Sequence, residues 1–215
     1  MSIIFNNIDK MSFDDLGEES EFIPLMTSED EEALEKEVLP DVLSILPLTN
    51  TVLFPGVVMP INAGSDKSIK LINDANKSNK LIGVIAQKSP KVENPSIENI
   101  HGVGTVAKIL RVLKMPDGNT TVIIQGKKRF KIKSVVKTDP YIQATIDSVN
   151  DKNQKQSNSK FSATIDAIKD IALKIIKENP NIPSEASFAI KNIHSSAFLI
   201  NFVCSNMNIT VKDKQ

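Results

Sequence analysis

Residues 46–64 constrain the fold of this chain more than any other stretch, because two apolar runs meet there at a proline–glycine pair. Proline fixes the backbone at the second position of a tight turn, and glycine accepts the positive φ that the third position of a type II turn requires. We therefore predict a sharp corner at Pro55-Gly56 that joins two paired strands. Pro47 and Pro60 have no N–H group, so each should lie at a strand end or on a sheet edge.

The order of residues in this stretch resembles the N-terminal signature of Lon-type ATP-dependent proteases. Leu-Pro-Leu at 46–48 is followed by a short polar step, then by Val-Leu-Phe-Pro-Gly at 52–56, and later by a proline and a glycine. Two downstream regions resemble the same family, namely the glycine- and valine-rich segments within 102–132 and the end of the chain at 207–215. The resemblance covers residues 40–215, and its motifs are specific in combination rather than singly.

The resemblance implies an α+β fold, in which a β-rich, six-stranded pseudo-barrel of the Lon N-terminal or PUA-like type contains one helix. A C-terminal three-helix unit should follow the barrel. The apolar pattern of the first of these helices has a period of 3.6 residues. Its predicted inward side chains are Phe161, Ile165, Ile168, Ala172, Ile175 and Ile176. The last of the three helices should also direct apolar side chains inward. These are Phe198, Leu199, Phe202, Val203 and Met207.

Charge divides the chain into unequal parts. Residues 1–39 hold 12 acidic and two basic residues, a net charge of −10, whereas residues 40–215 hold 14 acidic and 24 basic residues, a net charge of +10. We predict an acidic, poorly ordered arm over 1–39, a β-rich domain over 40–150, a polar linker over 151–160 and a helical subdomain over 161–215. The arm is either a solubilising tail or a segment that folds back on the basic domain.

Composition narrows the environment and the chemistry. No apolar run approaches the length of roughly 20 residues that a membrane-spanning helix needs. The only cysteine, Cys204, excludes an internal disulfide and fits the cytoplasm. With two histidines, His101 and His194, it cannot form a cysteine-rich zinc site, and no metal site is predicted.

Sequence motifs of catalysis are absent. The chain has no P-loop, HExxH or GxSxG pattern, and Gly102–Ala107 fits the dinucleotide fingerprint GxGxxG/A without the strand, helix and distant acid that such a site needs. The resembling family carries ATP hydrolysis and a serine–lysine peptidase in other domains. We therefore predict no catalytic residue and no cofactor in these residues, with ATP and magnesium bound by a longer parent protein that continues past Gln215.

Basic residues in two predicted strands form a candidate polyanion-binding site. Solvated strand faces are the more frequent explanation of such a pattern, and a DNA or polyphosphate surface is the functional alternative. Stacking aromatic residues, which single-strand binders use, are nearly absent from this region. The candidate residues are Lys108, Arg111, Lys127, Lys128, Arg129, Lys131 and Lys133.

Apolar side chains at the corner and at a predicted hairpin tip are candidates for capturing unfolded protein, because exposed apolar patches and flexible methionines suit varied partners. These candidates are Phe54, Pro55, Met59, Leu113, Met115 and Pro116.

The function predicted from the resemblance is substrate recognition within a Lon-like ATP-dependent serine protease. The domain would bind unfolded or degron-bearing proteins and support assembly of a hexamer. Two alternatives stay open at this point: a stand-alone adaptor that resembles this domain, and a nucleic-acid or polyanion module that uses the basic cluster.

Overall fold

The computed structural model describes residues 39–114, 120–149, 159–179 and 185–215. Its strands are β1 (Val42–Leu48), β2 (Val58–Ala63), β3 (Leu81–Ala86), β4 (Val103–Lys114), β5 (Thr120–Lys137) and β6 (Gln143–Val149). Its helices are α1 (Asp66–Lys77), α2 (Ser159–Glu178), α3 (Glu185–Asn192), α4 (Ser196–Asn206) and the single turn α5 (Val211–Lys214), with a 3₁₀ turn at Ile97–Asn99. The predicted α+β class and the six strands are confirmed.

The six strands form one mixed sheet that closes on itself. Their order is β2-β5-β4-β3-β1-β6, and β6 pairs again with β5. Five strands therefore form a ring, while β2 lies beside β5 outside that ring. The 18-residue β5 makes this possible, since its first half pairs with β2 and its second half with β6.

The expected pairing of the two strands that flank the corner is wrong. β1 lies between β3, to which it is parallel, and β6, to which it is antiparallel. β2 instead pairs with β5 and is antiparallel to it. Parallel neighbours need a long crossover, and the segment from the corner through α1 supplies it. The apolar run up to Phe54 is consequently not a strand, because residues 49–57 cross from one part of the sheet to another.

Local sequence accounts for α1, which fills one side of the barrel. The Ser65 hydroxyl accepts a hydrogen bond from the Ser68 N–H at 3.2 Å, as a helix N-cap should, and Asp66 and Lys77 lie at the ends that favour their charges. Its apolar face is buried against the first hydrophobic cluster through Leu71, Ile72 and Ala75.

Three hydrophobic clusters hold the molecule together. The first lies under α1, and the second fills the other end of the barrel around the fully buried Phe130. The third joins the corner to the helical unit, because Phe54 and Val57 pack with Ile165 of α2 and Phe198 of α4. Within the described residues, no helix is long and apolar enough to cross a membrane.

Candidate functional site

The proline–glycine corner has the predicted geometry but is buried rather than exposed. Gly56 has φ of 79°, and the Val57 N–H donates to the Phe54 carbonyl at 3.2 Å, which is the hydrogen bond of a type II turn. Phe54 is only 8% exposed and Met59 5%, and Pro55 is buried as well. These three candidate side chains therefore offer little apolar surface to solvent in this structure, and their role in substrate binding stays a prediction.

The corner is buried because it is the joint between barrel and helices. The Asn201 side chain in α4 donates to the Pro55 carbonyl at 3.2 Å and accepts a hydrogen bond from the Arg129 guanidinium of β5 at 2.8 Å. The Thr105 hydroxyl of β4 donates to the Leu53 carbonyl at 2.7 Å. Three elements therefore anchor one loop, which leaves no free apolar surface at its apex.

Leu113, the described member of the predicted hairpin-tip site, is half-buried on β4. The other two members, Met115 and Pro116, lie outside the described residues. Substrate capture at this tip stays a prediction.

The basic cluster is divided by the fold. Lys108 of β4 lies opposite Gln125 of β5. Lys131, another member of the cluster, lies on β5 itself, six residues after Gln125. At about 3.3 Å per residue, that separation is about 20 Å. Lys108, Arg111, Lys131 and Lys133 are exposed, while Lys127, Lys128 and Arg129 are half-buried.

Several members of the basic cluster interact with other groups of the protein. Lys133 lies 3.8 Å from the Asp147 carboxylate, and both side chains are well exposed. Arg129 is part of the corner joint described above. The arrangement is a strand face with mixed roles rather than a converging anion site.

The glycine-rich segment 102–107 runs into strand β4, which begins at Val103, and is not the strand-to-helix turn of a dinucleotide site. A Cβ at Gly104 would collide with the Ile85 side chain, so this residue allows two strands and the Phe130 ring to approach closely. Among the described residues, no group of three potential metal-binding side chains occurs.

An open groove of about 660 Å³ lies beside strand β2, and sequence reasoning did not find it. One side consists of strand β2 and the turn after it, through Met59, Pro60, Ile61, Asn62 and Gly64. The other side consists of two loops, residues 49–51 after β1 and residues 90–94 after β3. No motif marks it, because the groove forms only when segments distant in sequence meet.

Hydrogen bonds fix the loop that follows β3. The Lys88 N–H donates to the Asn99 carbonyl at 2.8 Å, and the Lys88 ammonium donates to the Glu98 carbonyl at 2.9 Å. The Gln87 amide, turned so that its nitrogen faces them, donates to the carbonyls of Ser89 and Val92 at 3.2 Å. This side of the groove is thus held in place by the end of β3.

A smaller hollow of about 100 Å³ shares part of the groove's lining and continues toward β6. Tyr141 lines it and donates to the Asp74 carboxylate of α1 at 3.0 Å. Burial, and then the Asp74 hydrogen bond and charge, raise the pKa of the Tyr141 phenol above its usual value. The phenol therefore stays protonated and keeps donating to Asp74 throughout the physiological pH range.

Several exposed apolar side chains lie on the helices, where they were not predicted. Ile171 is 60% exposed and Ile175 50%, one turn apart on α2, and Phe188 of α3 is 59% exposed. Ile175 and Met207 were expected to point inward, and both are exposed. The apolar face of α2 is wider than the surface that the other helices cover, so periodicity alone could not separate its buried edge from its exposed edge.

Comparisons with known proteins identify the chain's relatives. A family model described as the ATP-dependent protease La (LON) substrate-binding domain matches residues 42–215. The Lon protease of Flavobacterium johnsoniae is 60% identical over 97% of this chain, and that of Cytophaga hutchinsonii is 49% identical over 91%. The chain covers 26% and 24% of those two proteins, so it spans about a quarter of the length of the curated relatives it matches.

Among solved structures, the N-terminal domain of Mycobacterium avium complex Lon protease is similar to this chain. The match has a TM-score of 0.62 at 20% identity and covers 80% of this chain and 87% of that one. At this identity the likeness shows the fold alone.

Proposed function

Because the chain belongs to the Lon protease family, through that family's substrate-binding domain, we propose that it selects unfolded or degron-bearing proteins for degradation. The family match over residues 42–215 is the observation that carries the proposal. The motifs of the corner, which suggested the family, build the joint between barrel and helices and are not themselves exposed.

Two described surfaces suit such a role. The groove beside β2 is large enough to hold several residues of another chain, and pockets of 300–1,000 Å³ are typical of binding sites. The exposed pair Ile171 and Ile175 on α2 offers apolar contact next to the third hydrophobic cluster. Both would bind an unfolded chain weakly, because the entropy lost on association offsets most of the favourable free energy of burying apolar area.

We further propose that recognition works within a longer, hexameric, ATP-dependent serine protease of the cytoplasm. Several weak sites on linked subunits raise apparent affinity through effective concentration. ATP, magnesium and the serine nucleophile would act elsewhere in that assembly, and the single Cys204 fits a reducing compartment.

The polyanion alternative is not favoured, because Lys108 of β4 and Lys131 of β5 lie far apart along the sheet and Arg129 holds the corner joint. DNA or polyphosphate binding by the remaining lysines would weaken steeply with added salt, which separates it from apolar capture.

A titration of the 215-residue chain with one model protein, once folded and once permanently unfolded, tests the proposal. We expect micromolar or weaker binding of the unfolded form only, with little dependence on salt. Ile171→Ser/Ile175→Ser should weaken binding if the helix face takes part, and Leu113→Ser/Met115→Ser tests the predicted hairpin tip in the same way. Equal affinity for the folded and unfolded forms would contradict substrate selection.

A further inference from the structure

Strand β2 has an open edge within the described part of the chain. It stands at one end of the strand order, and β5 is its only neighbour there. An open edge presents backbone N–H and C=O groups that can pair with another strand. The groove lies beside this strand, since four of its consecutive residues, 59–62, line it.

The register shows which backbone groups face outward. The Val57 carbonyl accepts a hydrogen bond from the Gly126 N–H at 2.9 Å, and the pairing continues with Val58 opposite Gln125. Residues of an antiparallel strand alternate between bonding to the neighbour and pointing away from it. The groups of Val58, Pro60 and Asn62 therefore point away from β5.

Pro60 changes what this open edge can bind. Proline has a carbonyl but no N–H group, so the edge offers three acceptors and only two donors, the N–H groups of Val58 and Asn62. Such an edge still pairs with an extended chain but more weakly than a complete one, and proline on an edge strand also discourages permanent sheet-to-sheet association.

We propose that an extended polypeptide segment binds by adding a strand to the open edge of β2 inside this groove. The inference rests on the proposed function and deepens it by assigning the mode of recognition. Main-chain pairing is independent of side-chain sequence, which suits a domain that must accept many unfolded substrates.

The groove lining supports a neutral peptide of varied sequence. Glu93 is the one charged residue among those that line the groove, so neither acidic nor basic segments are strongly selected. Apolar surface comes from Pro47, Leu48, Met59, Pro60, Ile61, Pro90 and Val92, and the rest is mostly hydroxyl and amide side chains. Alternate side chains of an added strand would face this mixed surface.

Two matched variants test the pairing from the protein side. Asn62→Pro removes an outward N–H group, whereas Asn62→Ala keeps it, and both lose the same bond from the Thr121 hydroxyl to the Asn62 side chain. Pro60→Val adds the missing donor. One hydrogen bond corresponds to roughly a five-fold change in affinity. We expect Asn62→Pro to bind an unfolded model protein about five-fold more weakly than Asn62→Ala, and Pro60→Val to bind about five-fold more tightly than wild type.

A change in the ligand provides a second test, in which the protein itself is not altered. A neutral ten-residue peptide is compared with its ester analogue, in which two consecutive central N–H groups are replaced by oxygen. Main-chain pairing predicts weaker binding of the ester analogue to the wild-type chain. Equal binding of both peptides and equal binding by the three variants would overturn strand addition while leaving substrate recognition intact. No binding of unfolded protein at all would overturn the proposed function and strand addition with it.

Discussion

At the residue scale, two glycines face each other where the corner meets β5. The Gly56 N–H donates to the Gly126 carbonyl at 2.9 Å, and the Gly126 N–H donates to the Val57 carbonyl at 2.9 Å. The positive φ of Gly56 was predictable, because Pro-Gly has a known turn chemistry. The need for Gly126 was not, because the close approach involves a loop about 70 residues earlier in the chain.

Gly126→Ala should lower the free energy of unfolding by about 1–3 kcal/mol, because the new Cβ would collide with the Phe54 carbonyl. Gly102→Ala is the matched control, since a Cβ there meets no atom within 4 Å. Chemical denaturation of both variants measures the difference. Equal losses of stability would contradict the close approach at Gly126.

Gly56→Val should also destabilise the fold by about 1–3 kcal/mol, for a different reason. Valine is strained at a φ of 79°, whatever space surrounds it. Thermal melting of the purified variant is the measurement. An unchanged melting temperature would rule out the type II turn at the corner.

At the element scale, α4 holds the corner loop against β5 through Asn201, which is 7% exposed. Periodicity predicted the apolar face of this helix, including Phe198 and Leu199, which are buried. It could not predict that a polar residue on the same helix bridges two other elements. The predicted pairing of β1 with β2 fails for a related reason. Periodicity identifies a strand but does not show which other strand lies beside it in the sheet.

Asn201→Ala should cost about 1–3 kcal/mol, because it leaves the buried Pro55 carbonyl without that donor and removes an acceptor from Arg129. Asn192→Ala is the control, since its amide donates to the Phe188 carbonyl one turn back, near the surface. Hydrogen exchange at the Gly56 amide should accelerate in the first variant alone. Unaltered exchange there would show that Asn201 does not hold the corner.

At the scale of the whole molecule, apolar periodicity and the family motifs together predicted the fold class, the number of strands and a barrel followed by helices. The motif residues at the corner lie in the core of the structure. The groove beside β2 was not predictable, because residues 49–51, strand β2 and the loop after β3 meet only in the folded chain. The proposed domain boundaries at 39, 150 and 160 stay predictions, and the acidic arm 1–39 lies almost wholly outside the described residues.

The charge asymmetry between the arm and the rest of the chain gives a test at this scale. Removing residues 1–38 takes away 12 acidic and two basic side chains and leaves a chain with a net charge of +10. Because a segment of such high net charge is not expected to contribute to a packed core, we expect the melting temperature of the truncated chain to stay close to that of the full chain. Retention of the truncated chain on a polyphosphate or heparin matrix should increase at low salt. The difference should disappear near 1 M salt, where the screening length is about 3 Å.

A matched variant keeps the arm but replaces Glu29, Asp30, Glu31 and Glu32 with their amides. Its retention should lie between those of the full chain and the truncated chain. If truncation unfolds the chain, the arm belongs to its core, and if retention is unchanged at every salt concentration, the arm does not modulate the basic surface.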